Sequence, residues 1–86
     1  MDQSILTKKE YGKISLRLGT LMDGRGISRN RLAKAIDTRF EVVDKWYQGD
    51  MERIDMDVLA RICFVLECQV EDILVYEPAQ PEQSND

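Results

Sequence analysis

The chain has 86 residues, 43% hydrophobic and 33% charged, and a formal net charge of −4 from 12 Lys+Arg against 16 Asp+Glu. That length suits one compact domain. The absence of histidine removes Ser-His-Asp and Cys-His nucleophiles, the commonest general base and every His-containing zinc site. The longest apolar run, Ile62-Cys63-Phe64-Val65-Leu66, is far short of the roughly 18 residues of a membrane span. Met1-Asp2-Gln3-Ser4 lacks the basic and apolar regions of a signal peptide, so a cytoplasmic location is expected.

Residues 1–12 carry few apolar side chains beyond Ile5, Leu6 and Tyr11 and read as a flexible lead-in. From Lys13 two periods overlap. Ile14, Leu16 and Leu18 alternate with Ser15 and Arg17 as in a strand, while Ile14, Leu18, Leu21 and Met22 fit a helix. The alternation, and Gly19 in what would otherwise be a helix interior, favour a strand at 13–17 and a short helix at about 19–25. Ser28 is a good N-cap for a helix with Leu32, Ala33 and Ile36 on one face. Asp37 tolerates a left-handed backbone, so Asp37-Thr38 can make a tight turn. The helix that follows, about Phe40 to Gln48, places Val43 and Trp46 on one side, and Gly49 stops it.

Asp55 is the N-cap expected for a fourth helix, with Asp57 in its first turn, burying Val58, Leu59, Ile62, Cys63, Val65 and Leu66. Cys63 and Cys68, five apart, form neither a Cys-x-x-Cys redox pair nor half a zinc ribbon. Cys63 reads as a small core residue and Cys68 as a partly covered one, both reduced. Met22, Met51 and Met56 read as gap-fillers. A last short helix at about 70–74 leads into Val75-Tyr76-Glu77, which can pair with the strand at 13–17, and residues 78–86 read as a disordered tail.

The charge is unevenly distributed. Residues 8–39 hold nine basic and three acidic side chains, +6, whereas residues 40–86 hold three basic and twelve acidic ones, −9. If the halves segregate in space, one side of the molecule is positive.

Residues 28–49 have what two short helices crossing over a tight turn require. Ala33 is small where the backbones approach, and Leu32, Ile36, Val43 and Trp46 supply a shared core. With Gly26-Ile27-Ser28, Leu32-Ala33, Lys45-Trp46-Tyr47-Gln48-Gly49 and Ile54-Asp55-Met56-Asp57-Val58-Leu59, the chain resembles the Cro and lambda-repressor-like (XRE-type) helix-turn-helix regulators over residues 13–77. The ending from Cys68 to Pro78 resembles a subgroup of small single-domain members whose chain ends form a two-stranded sheet. The resemblance implies a mainly α, five-helix DNA-binding domain with a small sheet joining 13–17 and 73–77. It also implies a bacterial or phage transcriptional regulator, a repressor by expectation, that binds operator DNA as a homodimer.

By position, the resemblance places Ser28, Arg29 and Asn30 against a phosphate. It puts the second motif helix in the major groove, presenting Arg39, Phe40, Glu41, Val42, Asp44 and Lys45, with Gln48 on phosphate. Lys45 could read guanine, Glu41 a cytosine amino group, and Phe40 or Val42 a thymine methyl. Phe40 could equally touch a partner or cover Trp46. The chain departs from the family pattern at Asp37, usually Gly, at Thr38, usually aliphatic, and at Arg39, usually a short cap. The reading helix itself carries Glu41 and Asp44. A second class of function therefore stays open: a protein-interaction module, an antirepressor or adaptor, on the same scaffold. The dimer surface is expected around Glu67 to Tyr76. No enzyme activity, cofactor, metal, membrane partner or small-molecule effector is expected.

Overall fold

The structure is a computed structural model describing residues 11–79. The readings of residues 1–10 as lead-in and of 80–86 as tail lie outside the described residues. The elements are β1 (Lys13–Leu16), α1 (Leu18–Arg25), α2 (Arg29–Ala35), α3 (Phe40–Gln48), α4 (Met56–Leu66), α5 (Val70–Ile73) and β2 (Leu74–Glu77). β1 and β2 are antiparallel, with Lys13 opposite Glu77 and Leu16 opposite Leu74. The ambiguous stretch after Lys13 is thus a strand because β2 supplies its hydrogen-bond partners. Gly19 lies inside α1, where it does not break the helix but lets α1 approach α3. A Cβ there would fall 2.8 Å from the Tyr47 carbonyl oxygen.

The helix ends are set by local chemistry. Ser28 Oγ accepts from the Arg31 amide at 3.1 Å, capping α2. Asp37 adopts φ 59°, and the Asp37 and Thr38 amides donate to the Lys34 and Ala33 carbonyls at 3.2 and 2.9 Å. That paired return of amides onto the last turn is how a left-handed residue closes a helix, and it aims the chain into α3. Gly49, at φ 76°, ends α3. Asp55 caps α4 by accepting from the Asp57 and Val58 amides at 2.8 and 3.2 Å.

One core joins all five helices: Leu18 and Met22 of α1, Leu32 and Ala33 of α2 with Ile36, Val43 and Trp46 of α3, Leu59, Ile62 and Leu66 of α4, Cys68, and Ile73 of α5. Ala33 is buried between the motif helices, as its size requires. Three side-chain readings change. Cys68 is the buried cysteine and Cys63 the half-buried one, because α4 ends at Leu66 and the following turn tucks Cys68 inward. Burial, and then the neighbouring Cys63, raise the Cys68 thiol above its ordinary pKa. Met56 fills no gap: it is 76% exposed, as it lies on the outer face of α4.

The two charge halves interlock more than they separate. Arg17 pairs with Glu77 at 3.0 Å, Arg25 donates to the Leu66 carbonyl at the end of α4, and Arg61 donates to the Ile36 carbonyl at 2.9 Å. Two helix C-termini are therefore satisfied by arginines from other helices, the sign that carbonyl ends favour. These guanidiniums stitch the fold and are partly withdrawn from any basic surface.

Candidate nucleic-acid interface

The first residue of α2 and the outer stripe of α3 meet in a network that no local window of sequence displays. Arg29 reaches across the turn and its Nη1 donates to Asp44 Oδ1 at 2.6 Å. Its guanidinium carbon stands 4.8 Å from the Tyr47 ring centroid and 5.6 Å from that of Phe40, within the range of cation–π attraction. Gln48 Nε2 approaches the same Asp44 oxygen at 3.5 Å. The Tyr47 hydroxyl donates to Asp23 of α1, 2.9 and 3.1 Å from its two oxygens. That hydrogen bond, with partial burial, raises the Tyr47 phenol above its ordinary pKa.

Residues 40, 44, 47 and 48 share one stripe of α3 by their spacing of three and four. The stripe lies beside the buried one made by Val43 and Trp46. Asp44 is thus a fixed partner of Arg29, and one of the two carboxylates of α3 carries its own cation. The pair is worth little in stability, because the side chains are 39% and 34% exposed. Its effect is on geometry, since it ties the start of α2 to the middle of α3.

The remaining expected contacts divide plainly. Asn30, Arg39, Glu41, Lys45 and Gln48 are exposed, and among the described residues Arg39, Glu41 and Lys45 form no ion pair with one another or with a neighbour. Arg31 and Lys34 are exposed on α2. Ser28 spends its side-chain oxygen on the cap. Val42 is half-buried against the core, so little of it faces outward. Phe40 is 38% exposed and serves as a platform for Arg29. Sequence reading missed Tyr47 and Asp23. The recurrence of Phe40 and Tyr47 at i and i+7 was a signal for the former, whereas nothing near Asp23 pointed to α3.

Two short helices are thus joined by a tight turn, with a polar outer face on the second. A family model for the Cro/C1-type HTH DNA-binding domain matches residues 3–79. The chain belongs to this Cro/C1-type family. The crystal structure of the transcriptional regulator VanUg (form II) has the same fold, with a TM-score of 0.63 and 22% identity over 91% of this chain and 99% of that one. No curated protein matches the chain.

Within this Cro/C1-type domain, α2 and α3 are the helix-turn-helix pair. Among the described residues no three His, Cys, Asp or Glu side chains gather where they could hold a metal ion. No helix among them is long and apolar enough to cross a membrane.

Proposed function

We propose that this chain is a sequence-specific transcriptional regulator, a repressor, that acts in the cytoplasm and binds operator DNA as a homodimer with α3 in the major groove. The observation that carries the reading is the Arg29–Asp44 ion pair. With Asp44 matched internally, the outward charge of the α3 segment comes from Arg39 and Lys45 against Glu41 alone, which favours a polyanion. Arg29, backed by two aromatic rings, is held at the edge of that surface, where it serves a phosphate while keeping its carboxylate partner. Lys45 is the residue for guanine, and Glu41 the residue for a cytosine amino group. Exposed Asn30 and Gln48 supply neutral phosphate contacts, and Ser28 contributes through the cap it forms. A homodimer doubles a contact set that is small for one short helix.

The test is a mobility shift with genomic fragments across a series of salt concentrations, comparing the parent with Arg29→Ala and Lys45→Ala. The logarithm of affinity should fall against log salt by about 0.9 per phosphate contact, and both variants should bind more weakly. No fragment retained at low salt, with the variants indistinguishable from the parent, would overturn the DNA reading in favour of a protein-interaction module.

A further inference from the structure

Neither cysteine takes part in the nucleic-acid interface, and the two are the only thiols in the chain. Their spacing in sequence matches no redox pair, but the end of α4 folds them onto one another. Glu67 adopts φ 52°, and the Glu67 and Cys68 amides turn back to donate to the Phe64 and Cys63 carbonyls at 3.3 and 3.1 Å. Closing a helix through a left-handed residue in this way sets the side chain just past the turn against the one at its start. Here those two side chains are Cys68 and Cys63. An amide bonded to a carbonyl at 3.1 Å also keeps the two α-carbons near the separation of roughly 4–7 Å that a disulfide spans.

Both cysteines line one open recess of about 670 Å³, together with Phe64, Val65, Glu67 and Gln69. Cys63 is half-buried and Cys68 is only 9% exposed, so a reagent entering the recess meets the Cys63 sulfur first. Burial, then the charge of Cys63 and a hydrogen bond with it, raise the pKa of the Cys68 thiol, while Arg25, whose guanidinium sits on the Leu66 carbonyl, works the other way. Cys68 is therefore kept as a protonated thiol beside its neighbour, slow to react with anything that arrives from solvent.

We infer that Cys63 and Cys68 form a modification site, a dithiol that a small disulfide of the glutathione type converts into an internal Cys63–Cys68 bond. The Cys63 thiol loses its proton and attacks one sulfur of the reagent, forming a mixed disulfide and releasing one thiolate. The Cys68 thiol then loses its proton and attacks Cys63 Sγ, expelling the second thiolate. Both protons end on the released thiolates, so two protein thiols are oxidised while one reagent disulfide is reduced to two thiols. The bond clamps the left-handed turn between α4 and α5 and leaves both amide returns in place. Every residue lining the recess lies between 63 and 69, so α2 and α3 take no part in the reaction.

The test is an oxidation equilibrium of the full chain in mixtures of reduced and oxidised glutathione, quenched in acid and read by mass spectrometry, which needs no DNA and stands apart from the proposed function. The parent should lose two hydrogens and carry no glutathione. Its internal bond should form with an effective concentration at least about tenfold higher in the folded chain than in denaturing urea. Folding and oxidation close one thermodynamic cycle, so the same factor favours the folded state, and the oxidised protein should melt above the reduced one. Cys68→Ala, which keeps a small apolar side chain at the core position, should instead hold one glutathione on Cys63. A parent that keeps glutathione, links two chains, or closes the bond no more readily when folded than in urea would overturn the inference. So would an oxidised form that melts at or below the reduced one, or a Cys68→Ala variant that takes up no glutathione.

Discussion

α3 and α4 are neighbours of similar length, and each turns a buried stripe into the same core, Val43 with Trp46 in one and Leu59, Ile62 and Leu66 in the other. Their outer faces have nothing in common. α3 shows Arg39, Glu41, Lys45 and Gln48 to solvent and keeps its aromatic rings under a guanidinium, whereas α4 leaves Met56 and Phe64 bare. The inner stripes make the fold. The outer faces differ in what they can touch: polar and charged groups suit a hydrated surface, and bare apolar ones an environment that excludes water.

The contrast between faces can be broken most severely from inside. Trp46→Ala removes the largest fully buried side chain from the wall that α3 contributes and should cost about 3–5 kcal/mol in chemical denaturation. Phe64→Ala, a comparable loss of aromatic surface on the outer face of α4, should change the stability of the dilute monomer by no more than about 0.5 kcal/mol. Equal losses would show that Phe64 is packed.

On the polar face, Lys45→Ala should reduce the salt slope of DNA binding by about one unit if that lysine meets phosphate. If it reads guanine, it should relax base preference instead. A double-mutant cycle of Arg29→Ala and Asp44→Asn should return a coupling of about 0.2–1 kcal/mol in stability, the range for a pair this exposed. A coupling of zero would mean that Arg29 is held by Phe40 and Tyr47 alone.

The smallest effect belongs to the sheet. Hydrogen bonds from Arg17 and then Ser15 hold the Glu77 carboxyl below its ordinary value of 4.5. A group whose folded pKa is lowered stabilises fully above its unfolded value and loses that contribution as pH falls through the folded one. Glu77→Gln should therefore melt slightly below the parent at neutral pH, and the two melting curves should converge in acid.

Much of this arrangement was readable in the chain. The caps at Ser28 and Asp55, the left-handed turn at Asp37, the stop at Gly49 and the core stripe through Leu32, Ile36, Val43 and Trp46 are all local signals, set by residues within a turn or two of the feature. What escaped depended on distance along the chain. Arg29 and Asp44 are 15 positions apart, so the cation that offsets Asp44 was invisible to any window over α3. Tyr47 and Asp23 are 24 apart. The strand at Lys13, by contrast, was legible in the alternation of Ile14, Leu16 and Leu18, and β2 at the other end of the domain supplies its partners.

Met56 of α4 was misread for another reason. Phe64 was rightly left out of the buried set, but Met56 was read as a gap-filler, because which apolar residues a helix turns outward depends on its rotation against the core. Cys63 and Cys68 exchanged their expected burial in the same way, through the position of the turn after Leu66.

The pairing of Lys13 with Glu77 has a consequence for how the chain can be rearranged. It brings the two ends of the folded segment side by side, so the polypeptide describes a nearly closed ring with its break at the sheet. A permutant in which a short linker joins those ends, with new termini opened in the irregular stretch between α3 and α4, would keep every helix and both caps. Its tolerance would place the topology of this domain in its packed helices, independent of where translation starts.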